Sequence, residues 1–215
     1  MSSVNKGHYV QALEKITPDE NSSFHLMVNP RLHDFFFWHF HPEIELVFLD
    51  GADGTRHVGD HLSPFYTNDL VLIGSYIPHL NFDYGIKTDY EKTVLHLQED
   101  FLNDMLERTP ELQEITKLFQ DAAHGIVYGD EVKAEVGPRL KKLNQLSGFT
   151  QFLEVLHILH LLATTTDKQL LHELPYQNRV HKKEQERLRK IYDLIDARYK
   201  ERITIEEAAS TANLG

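Results

Sequence analysis

Two hydrophobic periods divide the chain near residue 97. Before it, apolar residues come in short runs broken by turn residues; after it, they recur at helical spacing. The short runs predict strands at Phe24–Val28, 35–40, 44–49, 55–58, 61–66, 70–73 and 90–97. Asn29-Pro30, Asp50-Gly51, Gly59-Asp60 and Thr67-Asn68-Asp69 punctuate them as turns. Pro42 marks an edge or bulge position, because proline cannot donate to a ladder. Closely spaced turns between β-rich runs predict an all-β barrel or sandwich, preceded by a polar arm over 1–22 that could add one edge strand.

Beyond 97 the spacing predicts helices around Phe101–Leu106, Leu112–Phe119 and Val132–Leu143, with Gly137-Pro138 as a kink or start. The stretch from Phe149 to Ala163 is the most apolar. Phe152, Leu156, Leu159 and Ala163 fall on one face, and Val155, Ile158 and Leu162 on a second. A helix apolar around so much of its girth is buried on two sides. Either it is central within one subunit, or one side meets a second copy. The expected homodimer interface consists of Phe152, Val155, Ile158, Leu159 and Leu162.

Residues 167–186 are polar and contain Pro175, the composition of a linker. Leu188, Ile191, Tyr192, Ile195 and Tyr199 then predict an amphipathic helix. Thr204-Ile205-Glu206-Glu207 has the form of a capping box, followed by a stripe of Ile205, Ala208, Ala209 and Ala212 expected to be buried.

Composition narrows the chemistry. Among 215 residues there is no cysteine, so disulfides and thiolate metal sites are excluded. Any metal must use imidazole and oxygen, and 14 histidines supply the former. No apolar run reaches membrane-spanning length, and the first residues lack a signal-peptide core, so a cytoplasmic protein without membrane contact is expected. The net charge is −11, unevenly placed: residues 1–178 hold 13 basic and 26 acidic residues, and residues 179–215 hold 9 and 7. An acidic body excludes nucleic acid from the body and leaves only the tail to touch it.

The candidate site lies in the aromatic run. His39, His41 and Glu45 share strand parity, and His79 follows Ile77-Pro78. Two imidazoles and a carboxylate on one strand face are a plausible shell for a divalent ion, and the bland alternative is a set of hydrogen-bonded structural histidines. Phe37 and Val47 have the same parity, and Asn81 shares the face of His79, so these seven residues form the expected ligand-binding set.

The spacing His39-x-His41-x3-Glu45, followed by Pro78-His79, resembles the two motifs of the cupin barrel. The glycine the family carries between that Pro and His is missing. The resemblance implies a metal or small-ligand pocket inside a double-stranded β-helix, with Zn, Ni, Mn or Fe on His39, His41, Glu45 and His79. The tail from Arg187 to Gly215 is similar to the opening of the DNA-binding domain of AraC-type transcription regulators, with Glu206, Glu207, Ala209 and Ala212 at the positions of its first capped helix. Many such regulators join a cupin sensor to helices and then to this domain. The implied organisation is a barrel with its arm over 1–97, a helical dimerisation region over 98–166, a linker over 167–186 and an incomplete helix-turn-helix over 187–215. The fold class is therefore mainly β plus α.

The resemblance implies an effector-sensing and dimerising part of a regulator, not an enzyme. Its expected ligand is a small polar molecule such as a carbohydrate, because aromatic faces and imidazoles suit sugars. Promoter DNA would be a partner of a longer protein but not of these 215 residues, which lack a recognition helix. A metal-dependent cupin enzyme (dioxygenase or sugar isomerase) and a metal-free sugar-binding module remain the alternatives.

Overall fold

A computed structural model describes residues 12–34, 36–178, 190, 194, 198 and 203–212. The chain forms two compact units, Met1–Tyr176 and Gln177–Gly215. The first contains β1 (Ala12–Leu13), β2 (Phe24–Val28), β3 (Trp38–Phe40), β4 (Ile44–Asp50), β5 (Gly54–Val58), β6 (His61–Phe65), β7 (Asn68–Ile73), β8 (His79–Leu80) and β9 (Glu91–Leu97). Helices α1 (Asn103–Arg108) and α2 (Gln113–Asp121), strand β10 (Ile126–Tyr128), helices α3 (Asp130–Lys142) and α4 (Gly148–Thr164), and strand β11 (Lys168–Leu170) follow.

The strands form a five-stranded sheet, ordered β1-β3-β8-β5-β6, and a six-stranded sheet, ordered β11-β10-β7-β4-β9-β2. Val47, Leu49, Val71, Ile73 and Val94 of the larger sheet share one apolar cluster with Val58 and Phe65 of the smaller. The two sheets therefore enclose a common interior. The opposite face of the larger sheet carries Leu46, Phe48, Leu70, Leu72, Leu95 and Leu97, which pack with α2, α3 and α4 into a second core. Period-two alternation along β4 sorts its residues between these cores. Both faces of this sheet are covered, which explains why its sequence reads as nearly continuous apolar runs.

Helix α3 passes over the sheet at Gly137, where a Cβ would lie 2.3 Å from the Phe48 ring, and it continues through Pro138 to Lys142. The Gly-Pro pair is thus neither a start nor a break; glycine is needed for the close approach to Phe48.

Two expectations are corrected here. Val155, Ile158, Leu159 and Leu162 have no exposed surface in the isolated chain, and Phe152 is half-buried against the same core. The apolar girth of α4 is consumed by α2, α3 and the sheet, so the seam expected for a second copy is interior. Of the large apolar side chains of that helix, Phe149 and Leu153 alone are exposed. The polar stretch from 167 also does not begin as a linker. Lys168–Leu170 forms β11, pairing with β10, and both were missed because three-residue strands give too little pattern to read.

The helix expected over 188–199 lies largely outside the described residues. In the second unit, α5 (Ile205–Thr211) starts with the capping box: the Glu207 amide donates to Thr204 Oγ1 at 3.2 Å, and the Thr204 amide donates to Glu207 Oε2 at 3.0 Å. Ala212 is buried, but Ile205 is 84% exposed, so the expected stripe is only partly interior. No helix among the described residues is long and apolar enough to cross a membrane.

Candidate functional site

Antiparallel register brings the site together. His39 of β3 sits opposite His79 of β8, and Glu45 of β4 sits opposite His96 of β9. His41 reaches the same place from the turn between β3 and β4. All five side chains are buried. Ligand atoms of His39, His41, Glu45 and His79 lie within 4.8 Å of one another, so the four residues assigned from sequence do converge.

Backbone contacts set the imidazole orientations. His39 Nδ1 donates to the Phe37 carbonyl at 2.9 Å, His41 Nδ1 to the Glu43 carbonyl at 3.1 Å and His79 Nδ1 to the Ile77 carbonyl at 2.8 Å. A carbonyl only accepts, so each Nδ1 carries a proton and each ring turns its Nε2 inward. This is how histidines are held when they serve a metal. Burial, followed by the field of His79, pushes His39 down to about 3, so it is neutral at physiological pH.

Those Nε2 atoms face a carboxylate. Glu45 Oε2 lies 3.0 Å from His41 Nε2, 3.4 Å from His79 Nε2 and 2.8 Å from His96 Nε2. Burial alone would raise the Glu45 carboxyl; the adjacent His79, His96 and His41 outweigh it and hold the group well below the usual carboxylate range. The ionised carboxylate and the inward Nε2 atoms satisfy one another only with a proton or a cation between them. His79 Nε2 and His96 Nδ1 are buried without a hydrogen-bond partner. An imidazole and carboxylate donor set of this kind fits Zn, Ni, Mn or Fe.

The remaining expected contacts divide. Phe37 stacks on His39, with ring centres 4.4 Å apart, at the half-buried side of the site. Val47 sits deeper, within the apolar interior. Asn81 does not offer its amide to a ligand: its Oδ1 accepts from the Phe37 amide at 3.2 Å, and its Nδ2 donates to the Leu32 carbonyl at 2.8 Å. It fixes the segment from 32 to 37 instead.

Three residues beside the site escaped the sequence reading. His96 was readable, because it alternates with Val94 on the strand that pairs with β4. Glu43 is buried by its position in the turn before β4, and its Oε2 has no hydrogen-bond partner, lying 3.6 Å from His41 Nδ1. Glu14 arrives from the arm, because β1 pairs with β3 in parallel, aligning Ala12 with His39 and Leu13 with Phe40. Its Oε2 lies 3.2 Å from His39 Nε2. Nothing local in the arm's sequence signals that pairing.

No protein-family model matches the chain, and no curated protein matches its sequence. Among solved structures, ToxT of Vibrio cholerae O395 bound to (E)-4-(8-methylnaphthalen-1-yl)but-3-enoic acid is 9% identical, with a TM-score of 0.47 over 90% of this chain and 73% of that one. Unsaturated fatty acid-bound wild-type ToxT from strain SCE256 is 11% identical, with a TM-score of 0.48 over 92% of this chain and 71% of that one. Identity and TM-score this low establish neither a shared family nor a shared ligand.

Proposed function

We propose that the chain is the effector-sensing part of an AraC-type transcription regulator, whose cupin-like barrel holds a divalent ion and receives a small polar ligand beside it. The observation that carries this reading is the buried convergence of His39, His41, Glu45 and His79 with Nε2 atoms turned inward, in a unit separate from the one that bears the capped helix α5. A polar centre that costs burial energy and leaves donors unmatched is kept for binding rather than for packing. The tail pattern of Glu206, Glu207, Ala209 and Ala212 supports the regulator half of the reading, with promoter DNA as the partner of a longer protein that completes the helix-turn-helix.

A sugar is the ligand class favoured, because imidazoles can hydrogen-bond hydroxyls while Phe37 offers an aromatic face nearby. Metal analysis of the purified protein, followed by a thermal-shift screen of sugars and short carboxylic acids with and without chelator, tests this. The expected result is about one chelatable ion per chain and a rise in Tm with at least one sugar. A protein that takes up no ion and responds to no compound would overturn it, and turnover of a screened compound would favour a cupin enzyme.

A further inference from the structure

Glu14 has no assigned role, yet its carboxylate lies beside one of the donors, His39. It lies 3.2 Å from His39 Nε2, the atom that the Phe37 carbonyl leaves as a lone pair. A carboxylate oxygen and an imidazole lone pair repel at that distance unless something positive joins them. Donors bound to one ion at about 2.0–2.2 Å lie roughly 3.0–3.4 Å apart at tetrahedral to octahedral angles. The His41–Glu45 and His79–Glu45 separations, 3.0 and 3.4 Å, span that range, and the Glu14–His39 separation falls inside it.

We propose that Glu14 is a fifth protein ligand to the ion held by His39, His41, Glu45 and His79, and that ion binding therefore fastens strand β1 to the barrel. The inference rests on the metal-binding part of the proposed function. Charge supports it independently. Three neutral imidazoles with Glu45 alone would leave a buried divalent ion with one uncompensated positive charge; a second carboxylate balances it. Topology supports it too. β1 has only Ala12 and Leu13 in its ladder, and the Glu14 amide adds one bond to the Phe40 carbonyl at 2.9 Å. So short an edge strand gains most of its hold from a bond through a side chain.

Without an ion, burial and then the nearby Glu45 raise the Glu14 carboxyl, so a proton can take the ion's place between Glu14 and His39. Glu14→Gln keeps that arrangement, because its amide donates to His39 Nε2, and β1 stays docked while the ligand is lost. The experiment titrates Co2+ and Zn2+ into the whole chain and into E14Q. The wild type should give the weak visible Co2+ band of a five-coordinate site, and E14Q the stronger band of a four-coordinate one. Affinity for Zn2+, read by chelator competition, should fall at least tenfold. Hydrogen exchange at the Glu14 amide should slow on Zn2+ addition in the wild type and not in the variant.

Equal Co2+ spectra and equal affinities would overturn the assignment of Glu14 while leaving the metal site intact. A wild type that binds neither ion would overturn both. Should E14Q lose β1 altogether, Glu14→Asp serves instead. It retracts the carboxylate by one methylene, so the same weaker affinity is expected, and an unchanged affinity would again count against the proposal.

Discussion

Strand β9 turns Lys92, Val94 and His96 to the interior between the two sheets, and its two polar ends differ in kind. At one end, Lys92 Nζ donates to Asp83 Oδ1 at 2.7 Å, while Asp83 Oδ2 accepts from the Tyr90 hydroxyl at 2.6 Å and the Leu32 amide at 2.9 Å. Both carboxylate oxygens are used, and each donor has found an acceptor. At the other end, His96 meets Glu45 with its Nδ1 unpartnered, beside His79 Nε2 and Glu43 Oε2 in the same condition. The Asp83 cluster is closed and the Glu45 cluster is open. A closed cluster is finished by folding; an open one is finished by something folding does not supply.

The largest effect should come from breaking the closed cluster. Asp83→Asn leaves the Lys92 ammonium buried without a counter-charge, which costs about 3–5 kcal/mol. Chemical denaturation would show this as a lower midpoint, and the double variant D83N/K92M should recover much of the loss, because the stranded charge is gone. Glu45→Gln on chelator-treated protein should cost less, about 1 kcal/mol, because the amide keeps an oxygen for His41 or His96, and His79 Nε2 and His96 Nδ1 already lack hydrogen-bond partners. A loss at Glu45 as large as that at Asp83 would erase the distinction between the two ends.

Completing the open cluster is the next effect in size. A divalent ion at 100 times its Kd should stabilise the wild type by about 2.7 kcal/mol, and chelator should remove that gain. In E45Q the ion should leave the midpoint unchanged, whereas a conservative change in the closed cluster, such as Tyr90→Phe, should keep the ion's increment while lowering the baseline. Calorimetry of the three proteins with and without Zn2+ gives the result directly.

The contrast between the ends also shows what the sequence could convey. His39, His41 and Glu45 were readable because strand period and close spacing place them on one face, and His79 because it follows a proline in a strand-like run. His96 obeyed the same rule but lay on a different strand, and its register opposite Glu45 is decided by pairing rather than by spacing. Asp83 and Lys92 carry no local signal of burial, since their partnership depends on a loop folding back over nine residues. The misjudged α4 face has a similar cause. Periodicity reported that Val155, Ile158 and Leu162 must be covered, but what covers them is fixed by the topology of α2, α3 and the sheet. Local pattern gives burial; only long-range pairing gives the identity of the neighbour.

Acid should act on the open end first. His39 is neutral down to about 3 when folded but takes a proton near 6.5 when unfolded. Between those values the unfolded chain binds more protons, so stability falls as pH drops from 6.5 towards 3. The slope from one such group is about 1.4 kcal/mol per pH unit, or about 2 kcal/mol between pH 6.5 and 5. The Asp83 carboxyl has the opposite history: burial would raise it, but Lys92, Tyr90 and the Leu32 amide outweigh burial and lower it. Its contribution is whole above the ordinary carboxylate range and is lost only as pH falls through the lowered folded value. Chelator-treated H39Q should therefore lose less stability than the wild type between pH 6.5 and 5, and the two should run parallel above pH 7. Parallel curves throughout would mean that His39 is not held neutral.

The smallest effect concerns the border between site and surface. His25 stacks on His96 with ring centres 5.8 Å apart, and the Asp19 carboxylate lies 2.6 Å from His25 Nδ1 while also accepting from the Leu26 amide at 2.9 Å. Unlike the two interior clusters, this pair is partly open to solvent on both sides. Solvent screens such a contact, so Asp19→Asn should cost less than about 1 kcal/mol. The amide keeps an oxygen for the Leu26 amide, so the turn before β2 should hold. Its value lies in where it stops: if the open cluster ends at His96, D19N should bind Zn2+ with wild-type affinity. Weaker Zn2+ binding in D19N, at unchanged thermal stability, would instead extend the cluster through the His25–His96 stack to the molecular surface, and the interior would no longer be the whole of the site.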